Sequence, residues 1–116
     1  MPQVLIALGS NYLQSAHIEW ASQRLSAIVC DLRFSRKLWT EDIHGRGILY
    51  MNRLACGTTT LSADQLQQAL KAIEAETRRT SGCVTIDLDL MQYDDERYHL
   101  ADWPRPYIQQ LIPDIL

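Results

Sequence analysis

Val84-Thr85-Ile86-Asp87-Leu88-Asp89-Leu90-Met91 alternates apolar and polar residues. A strand of period two places Ile86, Leu88 and Leu90 on one face and Thr85, Asp87 and Asp89 on the other. On its N-terminal side, Ser62-Ala63-Asp64-Gln65 carries a capping-box signature. Leu66, Ala69, Leu70, Ile73 and Thr77 continue it as a one-faced helix to about Arg78, and Thr80-Ser81-Gly82 makes a brief turn into the strand. Before that helix, Tyr50 to Thr58 reads as a strand, with Tyr50, Asn52, Leu54 and Cys56 on one face and Met51, Arg53 and Ala55 on the other. Trp39 to Ile48 is a polar loop, and Leu32, Phe34 and Leu38 alternate with Arg33, Ser35 and Lys37 as a half-exposed strand.

The first third of the chain completes the pattern. Val4 to Leu8 is a nearly continuous apolar run closed by Gly9-Ser10-Asn11, as a buried central strand would be. Ser15 is a candidate N-cap for a helix whose Ile18, Ala21, Leu25 and Ile28 share one side, stopping near Cys30-Asp31. The order strand, helix, strand, strand, helix, strand is that of the α+β, ferredoxin-like βαββαβ class. The expectation is a single domain over residues 1–116, with an antiparallel four-stranded sheet and two helices on one face. After Met91 the chain turns through Asp94-Asp95-Glu96, and Pro104, Pro106 and Pro113 predict a mostly irregular tail.

Composition narrows the function classes. The 116 residues are 47% hydrophobic, enough for one core. A net charge of −3 gives no electrostatic footprint for nucleic acid or an anionic membrane, and an RNA-binding sheet would need exposed aromatics on its central strands. The N-terminal apolar run is too short for a signal-peptide core or a membrane span. Cys30, Cys56 and Cys83 are odd in number and widely spaced, as expected of free, mostly buried thiols in a reducing cytoplasm. The three histidines lack zinc-ligand spacing. Oligomeric state is not legible.

Chemistry points to the face carrying Thr85, Asp87 and Asp89. Two residues along a strand span about 6.6 Å, so the two carboxylates stand side by side and repel. A hard divalent cation removes that conflict, and Mg²⁺ takes one or two carboxylates together with substrate phosphates. Asn52 is a polar residue in a strand, where Asn is disfavoured, and it offers donors and an acceptor.

Four colinear motifs resemble the 6-hydroxymethyl-7,8-dihydropterin pyrophosphokinases of folate biosynthesis. Ala7-Leu8-Gly9-Ser10-Asn11 looks like the family's opening, and Tyr50-Met51-Asn52 is similar to its Phe/Tyr-Leu-Asn. Ile73-Glu74, followed by Arg79, resembles its Ile-Glu…Gly-Arg segment. Thr85-Ile86-Asp87-Leu88-Asp89-Leu90 resembles its Thr-Leu-Asp-Leu-Asp-Ile signature. The resemblance implies ATP and a dihydropterin as partners and two Mg²⁺ ions held with ATP by Asp87 and Asp89. It also implies nucleotide contacts from Glu74 and Arg79, and a pterin pocket lined by Thr40, Tyr50, Asn52 and Tyr107.

The same comparison shows departures. Arg78 stands where the family has Gly, Ser81 where it has a second Arg, and Val84 where an Arg precedes the signature. The Pro-His-Tyr motif near the C-terminus is absent, and Trp103-Pro104-Arg105-Pro106-Tyr107 keeps an Arg and an aromatic. Arginines around a transferring phosphoryl group supply much of the transition-state stabilisation. Thr80 to Val84 spans at most about 18 Å when extended, too little to fold over substrates. Slow transfer is expected, with Arg79 and Arg105 as catalytic cations and Arg46 or Arg78 as substitutes. The alternative is a non-catalytic nucleotide- or pterin-binding relative.

Overall fold

Both faces of β1 (Gln3–Ser10) are covered, which explains its unbroken apolar run: Val4, Ile6 and Leu8 face one core and Leu5 and Ala7 another. The computed structural model describes residues 1–42, 45–77 and 83–115. After β1 come α1 (Gln14–Leu25), β2 (Cys30–Phe34), β3 (Leu38–Glu41), β4 (Leu49–Thr58) and α2 (Ala63–Glu76). The chain ends with β5 (Asp87–Tyr93), β6 (Glu96–Arg97), α3 (Pro106–Leu111) and a 3₁₀ turn at Ile112–Asp114. The sheet is antiparallel and ordered β2-β4-β1-β5-β6, with β3 also on β4.

Stripped of its additions, this is the expected ferredoxin-like arrangement, but with six strands where four were expected. Where one strand from Leu32 to Leu38 was expected, two lie in line along the same edge of β4, and the second of them, β3, takes Trp39 to Glu41 out of the stretch expected as loop. Cys30 to Phe34 pairs with the Ala55–Thr58 end, and Leu38 to Glu41 with the Leu49–Asn52 end. Ser35 makes the break possible. It is buried, and its Oγ accepts from the Leu54 N–H at 2.8 Å while donating to the Arg36 carbonyl. A side chain thus supplies the acceptor that a continuous strand would have provided, so the buried Leu54 N–H is not orphaned. The sixth strand is the short hairpin return of β6 on β5 through Asp94, whose φ is 50°.

α1 and α2 pack on one face, as the stripes predicted. Ile18, Ala21, Leu25, Leu66, Leu70 and Ile73 bury against Val4, Ile6, Leu8, Met51, Ala55, Leu88 and Leu90. The Ser62 capping box is formed on both sides. Ser15, by contrast, lies inside the first turn of α1; the N-cap is Leu13, in the left-handed region with φ 45°. Cys30 and Asp31 do not end α1 but open β2, after a turn at Ser26 to Ile28 that buries Val29.

The tail is not mostly irregular. Pro106 sits at the start of α3, where its missing N–H costs nothing. The helix lays Ile108 and Leu111, with Trp103 and Ile115, on Leu5, Ala7, Leu54, Cys56 and Met91. The prolines therefore start and end a helix on the face opposite α1 and α2. Alternation alone places Met91 in this second core while Leu90 serves the first, and the register shift in the β1–β5 pairing then returns Tyr93, rather than Gln92, to the first core.

Two ties gather the approach to β5. Asn11 N–H donates to the Val84 carbonyl at 2.9 Å, and Val84 N–H donates to Asn11 Oδ1 at 2.6 Å. The Thr77 and Thr85 hydroxyls share a hydrogen bond of 2.7 Å. Thr85 precedes the strand rather than belonging to its acidic face, because β5 begins at Asp87.

Candidate active site

The acidic face of β5 and the polar face of β4 meet across one residue of β1. Gly9 pairs with Asn52 on one side and with Asp87 on the other, so all three share a sheet face. A Cβ built on Gly9 would come within 3.4 Å of Asn52 Oδ1. The absent side chain leaves a flat floor between the amide and the carboxylate.

Over this floor lies a cleft of about 490 Å³. Thr40, Tyr50 and Asn52 line it from β3 and β4, Asp87 and Asp89 from β5, and Arg105 and Tyr107 from the start of α3. Seven residues proposed from sequence therefore converge. Asn52 Nδ2 donates to Thr40 Oγ1 at 2.6 Å, and Tyr50 OH accepts from Asn11 Nδ2 at 3.3 Å. Arg105 Nε donates to Asp102 Oδ1 at 2.7 Å, which fixes the guanidinium and leaves its outer nitrogens available.

Electrostatics within the cleft are set by burial. Removal from water pushes the Asp89 carboxyl above its ordinary value, with His99 and Lys71 opposing that rise and Glu74 and Asp102 adding to it. His99 Nε2 and Lys71 Nζ lie 3.8 and 3.9 Å from Asp89 Oδ1. Burial also pushes the Tyr107 hydroxyl up, reinforced by Asp102 and offset by Arg105.

Glu74 sits outside the cleft. Its Oε2 accepts from the Leu88 N–H at 2.8 Å, and Lys71 bonds the same carboxylate at 3.1 Å. It ties α2 to the free edge of β5. Arg78, Arg79, Ser81 and Gly82 lie outside the described residues. Arg46, named from sequence as a substitute cation, also lines the cleft, and Asp42, Asp102 and Gln110 are additional to the set chosen from sequence. Asp102 and Arg105 stand three apart, a spacing that lets two side chains of one turn meet. Arg46 pairs with Asp42 at 2.6 Å.

The donor set suits Mg²⁺ brought in with phosphates. Two carboxylates on one strand face supply what Mg²⁺ takes from protein when phosphates complete its shell. Among the described residues no group of three or more His, Cys, Asp or Glu could hold a metal by itself.

A ferredoxin-like sheet bearing an acid pair and an amide across a glycine floor defines an α+β protein with a cleft of small-ligand size. Residues 5–112 match the family model for 7,8-dihydro-6-hydroxymethylpterin-pyrophosphokinase, and the chain belongs to that family. Membership supports pterin pyrophosphokinase function in folate synthesis. No curated protein matches the chain. Among the described residues no helix is long and apolar enough to cross a membrane.

Proposed function

We propose that this protein transfers the pyrophosphoryl group of ATP to the hydroxymethyl oxygen of 6-hydroxymethyl-7,8-dihydropterin, releasing AMP, at a low rate. The observation that carries the reading is the placement of Asn52 and Asp87 on either side of Gly9, on one cleft floor. Asn52 and Thr40 would take the hydrogen-bonding edge of the pterin, and Tyr50 and Tyr107 its flat faces. Two Mg²⁺ ions, held with ATP at Asp87 and Asp89, would neutralise phosphate charge. Arg105, oriented by Asp102, would donate to phosphate oxygens, with Arg79 serving the nucleotide side. Positioning and charge neutralisation are what phosphoryl transfer chiefly asks of a protein. Three unpaired cysteines fit a cytoplasmic setting.

The low rate follows from the cations. Arg46 and Arg105 are the described arginines lining the cleft, and each already spends its Nε on a carboxylate. The same observation favours a second reading, a relative that binds nucleotide and pterin without efficient transfer. Measuring AMP formed from ATP and the dihydropterin with Mg²⁺ separates the two. Slow formation abolished by Asp87→Ala supports transfer. Mg²⁺-dependent ATP binding by calorimetry, with no AMP above background, supports the second reading.

A further inference from the structure

The two edges of the sheet are finished differently. On the β5 side, Glu74 Oε2 accepts from the Leu88 N–H at 2.8 Å, and β6 returns along Gln92 and Tyr93. On the β3 side the edge is open. Asp42 N–H donates to the Ile48 carbonyl at 2.8 Å. In the antiparallel register, Leu38, Thr40 and Asp42 therefore turn their backbone groups to β4, and Trp39 and Glu41 turn theirs outward. No backbone bond from another described residue reaches those outward groups. Edge strands are ordinarily blunted by charge, proline, a bulge or a covering element, and here an exposed tryptophan stands at the centre.

The outward residues are matched to themselves. Laid antiparallel on a second copy about Trp39, the segment sets Trp39 against Trp39 of the copy and Lys37 against its Glu41. Period two puts Lys37, Trp39 and Glu41 on one face. Trp39 pairs with Met51, a residue of the first core, so that face is the one carrying α1. Trp39 is 53% exposed there, beside the exposed Leu49 of β4. The charges fit the same register. Glu19 of α1 is faced by two cations, Lys37 and, at 3.6 Å, Arg53, which leaves one positive charge in excess. Glu41 is exposed and pairs with no cation among the described residues.

We propose that β3 docks a second copy of this chain, strand to strand and antiparallel, with the two-fold axis at Trp39. Trp39 would exchange both backbone bonds with its counterpart, and Glu41 with Lys37 of the copy. The two indoles would meet on the face carrying α1, and each Glu41 would reach the cation in excess on the other chain. Aromatic pairs and opposite charges set directly across from one another are the contacts that stabilise neighbouring strands. A slip of two residues would set Trp39 against Glu41 and lose both matches. The contact uses the same patch on both copies, so it closes on itself. Thr40 faces the other side of the sheet, toward the first cleft. Because Glu41 also borders that cleft, association rather than activity is the readout.

The test is sedimentation equilibrium of the full chain across a thousandfold range of concentration, which should show a reversible monomer–dimer step. Trp39→Lys and Glu41→Lys should each weaken that step at least tenfold. Glu41→Lys changes an exposed side chain, so the comparison stands even if Trp39→Lys unfolds. Register is read with Trp39→Cys. Residues that exchange both backbone bonds stand about 5.5 Å apart, within reach of a disulfide. A mild oxidant should therefore join the two introduced thiols to each other, as mapped by peptide mass spectrometry. A single-chain mass at every concentration, a dimer that Glu41→Lys leaves unweakened, or introduced thiols that do not join each other would each overturn the assignment.

Discussion

Asn52 Nδ2 donates to Thr40 Oγ1 across 2.6 Å, tying β4 to β3 and leaving Oδ1 turned toward Gly9. The amide is thereby oriented before any ligand arrives. It meets the cleft with its acceptor, suited to the amino and ring N–H donors of a pterin. Asn52→Ala should weaken dihydropterin binding by about 1–3 kcal/mol, the cost of a missing partner in a buried site, and leave ATP binding nearly unchanged. Thr40→Val should produce a smaller loss, because it frees the amide to rotate without removing it. Calorimetry with each ligand separately checks both, and a loss on the ATP side alone would remove Asn52 from the pterin site.

The Asp89 carboxyl lies above its ordinary value chiefly because it is partly withdrawn from water. Between the unfolded and folded values the folded state binds more protons, so stability falls as pH rises through the folded value. In metal-free buffer Asp89→Asn should therefore raise Tm, and by more at pH 7 than at pH 4. The same variant should lose the Mg²⁺ dependence of ATP binding. A Tm gain that is equal at both pH values would mean that charge burial is not the cause.

Arg105 is the cation that α3 brings to the cleft, and Asp102 holds it. Arg105→Ala should lower kcat by roughly 10²–10³, the range seen when one transition-state donor is removed. Asp102→Asn should cost less, since it loosens the guanidinium without deleting it. Single-turnover measurement of AMP release distinguishes the two. If kcat is unchanged by Arg105→Ala, the transferring group is served from the Arg79 side.

Ile108 and Leu70 are both fully buried, one in each core. Either truncation to Ala should destabilise the fold by about 2–5 kcal/mol, read by urea unfolding. Only Ile108→Ala should also raise the KM for the pterin, because α3 carries Tyr107 into the cleft. Equal effects on KM would show that α3 does not position the site.

Much of this was legible in the chain and some was not, for identifiable reasons. The alternation of Ile86, Leu88 and Leu90 with Asp87 and Asp89 survives in β5 because one face is core and the other is cleft, so a slip of one residue would bury carboxylates. Tyr50 and Asn52 kept their facing for the same reason. The split between β2 and β3 was hidden because Ser35 keeps the period while its hydroxyl replaces a ladder partner. α3 was hidden because its prolines read as breakers, whereas Pro106 initiates the helix and Pro113 sits in the 3₁₀ turn that ends it. Asp102 escaped notice because its meaning depends on that helix delivering Arg105 beside it. Glu74 had a visible partner only once β5 offered a free Leu88 N–H.

The ties at Thr77–Thr85 and Asn11–Val84 bear on what the protein can become. They anchor the chain on both sides of the stretch between α2 and β5, so the ends of that stretch stand at a fixed separation whatever its length. Lengthening a loop between fixed ends costs only about 0.6 kcal/mol per doubling. An insertion there would face little thermodynamic resistance, and the sheet would not have to change to receive it. The scaffold is thus permissive where the family pattern it resembles has an arginine in place of Ser81, and a grafted segment bearing one is a direct way to test whether the proposed transfer can be made faster.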